Sequence, residues 1–518
     1  MKIPQKQARV LFFYPNNEGD AGVPNGVTLL SSCLKNAGHK TSLFDTTFIA
    51  ADPIAHEVRQ THGGVEKSDV ADKWGVWDPK SLTEVGNLLL SEVKSYKPDF
   101  IAVTLFETSY KYGMEVLNRI YKEVKVPIIA GGIIVTLDPD LVINNDCIDA
   151  ICVGEGESAI VEFASKVANN ESYDDIKNIW VKKKKGHIIK NPKGPLTDLN
   201  EIPVGDWSII DPRHMIRPFA GDFYNTAWIE MSRGCAFNCT FCCTPSQRLE
   251  ARNDNLGIYY RRRKGEHVIA EILELKENYG LEFIFFLDDD FLEAPKQWLD
   301  DFVAEYAERV RLPFWIQTRS ELIDESNLNK LVSANIAGIS VGVEHGNEEF
   351  RKRILSRHMT NESLLNTFNM IHSCNIRSTA NQVIGFPFET LRLHYDSINL
   401  VKKLKPHSFT LNYFQPYRGT PLRTLSVEQG FLDKDYVVHD PYKPILNMKH
   451  FKKDKMKFYF ENFGAHVTGD KSFNTLHFGQ MDLDFKNIPN VTHKFKRPEA
   501  DNPEADKLKY DLPLVSGV

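Results

Sequence analysis

The sequence predicts an α/β protein made of an open, mostly parallel sheet, then a partial (β/α)6 barrel, then a small, mostly helical or irregular C-terminal region. Three observations carry this reading. Apolar strand patterns alternate with amphipathic helix patterns over residues 1–200, and the alternation resumes from about 225 to 425. Between the two series, 198–211 reads as a linker, with Pro203 and few periodic positions. A CxxxCxxC run then follows the first strand of the second series directly, where a barrel keeps its active site. The expected domains are 1–200, 201–428 and 429–518.

In the first series, 9–14 is a short apolar strand ending at Pro15-Asn16-Asn17. A helix over about 26–37 stops at Gly38, and 40–45 is a second strand. Buried-type strands follow at 100–105 and 127–130, each preceded by an amphipathic helix, and another at 150–153 ends at Gly154. Such a Rossmann-like sheet binds ligands outside the carboxyl ends of its strands. Residues 53–80 break the rhythm and read as an inserted loop, and 180–190 reads as a hairpin around Lys185-Gly186. Lys182 to Lys185 have no interleaved aromatics, so they read as a solvated turn and not a nucleic-acid patch.

In the second series, strands are expected at 226–231, 283–287, 313–317, 338–343, 379–384 and 408–414. Amphipathic helices lie between most of them, for example 266–279 and 296–309. Six such units make a partial TIM-like barrel. Beyond 430 the periodicity weakens into a charged, proline-containing tail.

Composition narrows the function classes. The chain has 518 residues, 42% hydrophobic and 25% charged, enough for two or three globular domains. A formal charge of −6 argues against nucleic-acid or anionic-membrane partners. No N-terminal apolar segment resembles a signal peptide, and the longest apolar run, 128–137, is too short and Gly-broken to span a bilayer. Eight cysteines in a chain of this size make no disulfide scaffold, so a reducing cytoplasm is expected, with thiolates available to metal.

Cys235, Cys239 and Cys242 are three thiolates on one short loop entered through Ser232-Arg233-Gly234. An iron–sulfur cube normally takes four cysteines, so three leave one iron open. Zinc is the plain alternative, but a knuckle needs a fourth ligand nearby, and no suitable pair lies between Cys243 and His267. Cys243 adjoins Cys242 and reads as a packing residue.

The loop 232–242, with Phe241 before the last cysteine, resembles the cluster-binding loop of the radical S-adenosylmethionine (SAM) superfamily. The resemblance implies a [4Fe–4S] cluster whose open iron chelates SAM and whose reduction releases a 5′-deoxyadenosyl radical. Phe286-Leu287-Asp288-Asp289-Asp290-Phe291 resembles the family's acidic strand end, which implies Asp289 near the SAM amino group. Arg319 matches a family arginine that pairs with a carboxylate, and Glu344 the acceptor of the SAM ribose hydroxyls. Ile384-Gly385-Phe386-Pro387 resembles the loop packed near adenine, which implies Ile384 and Gly385.

Val23-Pro24-Asn25-Gly26-Val27, Gly38-His39, Asp45, Pro98-Asp99, Gly131-Gly132 and Val153-Gly154-Glu155-Gly156-Glu157 form an ordered series. It resembles the cobalamin-binding domain of the B12-dependent radical SAM enzymes. The implied cobalamin contacts are Asn25, Gly26, Thr104, Gly131, Gly132, Gly154, Glu155 and Gly156. Gly131, Gly132 and Gly154 are expected to let backbone approach the nucleotide tail. The resemblance covers residues 8 to about 425, with departures. No Asp-x-His-x-x-Gly offers cobalt a lower histidine, as is usual in these relatives. Ile134 stands where they commonly carry histidine, and Tyr417-Arg418-Gly419-Thr420 replaces a commoner Pro-Gly-Thr.

The resemblance implies a SAM-dependent methyltransferase that methylates an unactivated centre of a biosynthetic intermediate. Its electrons would come from a donor such as flavodoxin or ferredoxin. A B12-dependent radical oxidoreductase or cyclase is the alternative, and a cobalamin or iron–sulfur sensor without turnover a third. No catalytic acid or base is assigned. Tyr413, Tyr417 and Arg418 are candidate cavity residues. C-terminal Tyr459, Phe460, Phe463, His466 and His477 are expected in a lid or substrate wall, the two histidines there as surface or packing residues.

Overall fold

The computed structural model describes residues 6–17, 22–50, 73, 78–183 and 186–469. Most of the inserted loop expected at 53–80, His477 and the C-terminal tail lie outside them.

The N-terminal sheet contains β1 (Arg9–Tyr14), β2 (Lys40–Asp45), β3 (Phe100–Thr104), β4 (Ile128–Gly131), β5 (Ala150–Cys152), β6 (Ile179–Lys182) and β7 (Ile188–Lys190), in spatial order β2-β1-β3-β4-β5-β6-β7. The first five strands are parallel. They are covered on both faces, which is why the inner ones read as unbroken apolar runs. Helices Leu82–Tyr96 and Glu107–Ile120 pack on one face, Asn25–Asn36 and Glu157–Asn169 on the other. Helix Leu82–Tyr96 starts in a capping box, with Ser81 N–H donating to Glu84 Oε2 at 2.8 Å. The expected hairpin forms as β6 and β7, and it also extends the sheet: β6 pairs antiparallel with β5.

The second sheet is β16-β15-β14-β13-β12-β9-β8, comprising β8 (Ile216–Phe219), β9 (Asp222–Ile229), β12 (Phe283–Phe286), β13 (Phe314–Thr318), β14 (Ile336–Glu344), β15 (Arg377–Ile384) and β16 (Ser408–Tyr413). Six strands are parallel, and β8 is an antiparallel edge folded onto β9 through Ala220-Gly221, both at positive φ. The sequence reading missed β8 because it is four residues long and contains Pro218, which an edge strand tolerates. β10 (Ser232–Arg233) and β11 (Arg261–Arg262) form a separate two-stranded ribbon.

The linker does more than connect. Trp207 is buried, Ser31 donates to Asp206, and His214 meets Asp45 Oδ2 at 2.6 Å. The described part of 429–518 belongs to the barrel core: Leu432, Val438, Leu446, Phe451 and Phe463 join the cluster formed by the barrel strands. The Phe460 ring stacks on Tyr413 of β16 at 4.1 Å. His466 is buried and stacks on Tyr459, a packing role as expected. Among the described residues, no helix is long and apolar enough to cross a membrane.

Candidate cofactor site between the two sheets

The cysteine loop begins where β9 ends. Gly234 sits at φ +91°, and a Cβ there would come within 2.8 Å of the Tyr259 ring, so conformation and space both demand glycine. Helix Thr244–Asn253 follows the loop and sends Arg248 back into it. One guanidinium donates to the carbonyls of Cys235 and Phe237 and to Asn238 Oδ1. From the opposite side Glu293 Oε1 accepts from the Ala236 N–H at 2.8 Å.

Cys239 is buried, and Cys235 and Cys242 are half-buried. Arg319 Nη1 lies 3.2 Å from Cys239 Sγ, and Arg357 Nη1 lies 3.5 Å from it. Arg319 also stacks on Phe237 at 3.8 Å and pairs with Glu321. Burial pushes the Cys235 thiol up, and Glu293 reinforces it. Cys242 moves the other way, helped first by the Cys243 thiol and then by Thr244, whose N–H points at Cys242 Sγ from 3.4 Å. Among the described residues, no three or more Cys, His, Asp or Glu side chains converge on a single ion. Three cysteines on one short loop are the donor set of a cube in which each thiolate takes its own iron. Buried polar atoms lacking a protein partner gather around it: Glu293 Oε2, Asp288 Oδ2, Asp290 Oδ2, and Nε of Arg319 and Arg357.

The three consecutive carboxylates split as alternating directions at a strand end require. Asp288 is buried and accepts from the Ser232 hydroxyl; burial raises its pKa to about 6. Asp290 is buried and accepts from Thr318 Oγ1 at 2.5 Å; burial raises it to about 7. Asp289 between them is exposed and accepts from Thr244 Oγ1 at 3.3 Å, beside Cys242. It is the one of the three free to face a ligand.

Glu344 closes β14 at φ +66°, an uncommon conformation for a residue with a side chain, with Arg357 3.9 Å away. Ile384 is fully buried. The next residue, Gly385, has φ +92°, and Phe386 packs on Phe241 at 5.7 Å, so the two aromatic loops meet. Glu389 holds this turn by accepting from the N–H groups of Gly385 and Phe386. Burial opposes its charge, but His345 and His394 bring Glu389 down to about 2.

The described contacts between the two sheets come from the carboxyl edge of each. Asn25 Nδ2 donates to Trp228 O at 2.9 Å. Glu107, after β3, accepts from the Arg418 N–H at 2.8 Å and the Val438 N–H at 3.0 Å. Asp138, after β4, pairs with Arg418. Glu157, after β5, lies 2.7 Å from Arg233 of the cysteine loop. Glu155 is held by Arg261, by Arg233 at 3.3 Å and by the Thr197 N–H at 2.7 Å. Burial would raise Glu155, but Arg261 and Arg233 bring it down to about 2. Its carboxylate therefore joins the loop after β5 to the β10–β11 ribbon.

Within the protein itself the glycines differ in what surrounds them. Gly132 sits at φ +104°, and a Cβ there would lie 2.4 Å from Leu105 O, so the backbone just after β3 itself requires glycine. At Gly131 a Cβ would meet nothing closer than Cys152 Cβ at 4.0 Å. Around Gly26 and Gly154 the space is open; Gly154, at φ +103°, donates its N–H to Thr136 Oγ1 at 3.0 Å. Gly156 would leave a Cβ 3.5 Å from Leu30. Thr104 ends β3 beside Gly131. Ile134 is buried, so no polar contact arises there. Tyr413 is buried against Phe460, and Arg418 is engaged by Asp138. Sequence reasoning missed Arg248, Glu293, Arg357 and Glu389. They lie on helices or connecting loops beyond the motifs, and no spacing marks them.

The radical SAM superfamily model matches residues 229–401, and the B12 binding domain model matches residues 84–164. The chain is 23% identical over 408 residues to an uncharacterised methyltransferase, PH0819, of Pyrococcus horikoshii, covering 78% of this chain and 83% of the relative. It is 20% identical over 457 residues to cytidylyl-2-hydroxyethylphosphonate methyltransferase of Streptomyces wedmorensis, covering 80% and 79%. Among solved structures it resembles TsrM, a radical SAM methyltransferase from Kitasatospora setae, with cobalamin and [4Fe–4S] cluster bound. The TM-score is 0.60 at 17% identity, over 88% of this chain and 85% of that one.

Proposed function

We propose that this chain, which belongs to the cobalamin-dependent radical SAM enzymes, is a methyltransferase acting on an unactivated centre of a small biosynthetic intermediate. The observation that carries the reading is the meeting of the two carboxyl edges. Arg233, two residues before Cys235, touches Glu157 at the start of the helix after β5, so ligands at either edge share one enclosure. Both related proteins described above carry the name methyltransferase.

When bound, the cluster and cobalamin supply SAM cleavage and methyl carriage, chemistry that no side chain here provides. The protein supplies position and exclusion of water. Cys235, Cys239 and Cys242 hold the cluster, and Asp289 and Glu344 face the amino and ribose ends of SAM. Gly385, Phe386 and Phe241 form the apolar wall against adenine. The crevice between β1 and β3, where the strand order reverses, receives cobalamin. Reducing electrons come from a flavodoxin- or ferredoxin-type donor in the cytoplasm.

The test is anaerobic, reconstituted protein incubated with cobalamin, reductant and SAM. S-adenosylhomocysteine formed alongside 5′-deoxyadenosine is the expected outcome. 5′-Deoxyadenosine alone favours an oxidoreductase or cyclase. Neither product, with the cluster intact, sinks the enzyme reading.

A further inference from the structure

We propose that Arg319 and Arg357 act together as hydrogen-bond donors to the Cys239 thiolate and raise the reduction potential of the cluster. This rests on reading Cys235, Cys239 and Cys242 as cluster ligands, and goes beyond it by giving two arginines a redox role.

The geometry is convergent. Two guanidiniums from different barrel loops, one after β13 and one after helix Glu348–Ile354, reach the same sulfur at 3.2 and 3.5 Å. Their side chains are only 8% and 5% exposed. Both are braced: Arg319 stacks on Phe237 of the cysteine loop, and Arg357 donates its other Nη to Gly342 O. The other two sulfurs are served differently. Cys235 lies beside the Glu293 carboxylate, and Cys242 receives the neutral Thr244 N–H at 3.4 Å. Among the described residues, charged N–H donors thus reach the sulfur of one of the three ligands.

The physical consequence follows from the added electron. Reduction makes the cluster one unit more negative, and part of that charge resides on the thiolates. A donor N–H carrying positive charge, held in a poorly solvated place, stabilises the reduced state more than the oxidised one. Glu321 and Glu344 offset part of the charge but do not touch the sulfur, so the two N–H···S contacts keep their local effect. The electron comes from the external flavodoxin- or ferredoxin-type donor, and no bond is made or broken in this step.

The experiment is a potentiometric titration of the reconstituted full-length protein without SAM, followed by electron paramagnetic resonance. Wild type is compared with R319M, R357M and R357K. At the wild-type midpoint, the reduced-to-oxidised ratio is expected to fall about tenfold in each methionine variant, equivalent to about 59 mV for one electron. R357K, which keeps the charge but loses the fork, should fall less. Full iron and sulfide content in the variants separates a shifted cluster from a missing one. Unchanged midpoints at full content overturn the proposal. So do unchanged midpoints with weakened SAM binding, which would make the arginines ligands of the SAM carboxylate.

If the methionine variants hold no cluster, wild-type protein grown on 15N-guanidino arginine decides. A 15N coupling in pulsed spectra of the reduced cluster supports the contact, and its absence overturns it.

Discussion

Arg233 Nη1 lies 2.7 Å from Glu157 Oε1, joining the cysteine loop to the helix that follows β5. The same guanidinium reaches Glu155 at 3.3 Å and Glu230 at 3.1 Å, and is 18% exposed. Removing it leaves Glu157, among the described residues, facing only the Thr197 hydroxyl, at 3.3 Å. R233M is expected to lose about 2 kcal/mol, less than a fully buried pair would because water reaches part of it. The loss should concentrate between the sheets. Limited proteolysis should then cut the linker at 198–211 faster than in wild type. Unchanged cutting and stability would mean that the remaining contacts suffice.

Gly131 and Gly132 are adjacent but have different reasons to be glycine. G132A forces a Cβ into Leu105 O at a positive φ, and is expected to cost about 3 kcal/mol. G131A meets only Cys152 Cβ at 4.0 Å, and should stay within about 0.5 kcal/mol. Urea unfolding separates them. Cobalamin titration of G131A then shows whether the cofactor itself needs backbone there.

These two glycines mark how far the sequence could be read. Strand and helix positions were legible because buried parallel strands are unbroken apolar runs and their helices are amphipathic. The cysteine loop and the Gly385 turn were legible because backbone demands and metal ligation leave fixed residue types. What stayed hidden depends on the tertiary fold. Arg357 sits in a connection with no pattern of its own, and only the barrel's curvature brings it to Cys239. Glu155 carried a motif position, but its ion pair with Arg261, far away in the chain, had no mark in the sequence. Residues 429–469 looked weakly periodic because they fill gaps in a core built by other strands.

Arg248 donates to three oxygens of the Cys235–Asn238 stretch and so fixes the loop's path before any metal arrives. Partners that orient metal ligands typically matter 10- to 100-fold in affinity. R248M is therefore expected to release iron to a chelator about ten times faster than wild type. R252M, exposed on the same helix, is the control and should not differ. Equal rates for R248M and wild type would show that Glu293 and the turn at Cys239 hold the loop unaided.

Asp290 gives the chain without its cluster a pH dependence of definite sign. The carboxyl is buried, its Oδ1 accepts from Thr318, and burial lifts its pKa from 3.8 to about 7. Between those values the folded chain keeps a proton that the unfolded chain has released. Stability from this group is therefore complete below about pH 4 and is lost as pH rises through about 7. Asp288, raised to about 6, acts in the same direction over a narrower window. Urea midpoints of cluster-free protein should fall between pH 5 and 7.5. D290N keeps an acceptor for Thr318 but cannot titrate, so its curve should be shallower by up to about 1.4 kcal/mol per pH unit. An identical slope in D290N would mean that Asp290 is already ionised in the folded chain, with Arg319 as its counter-charge.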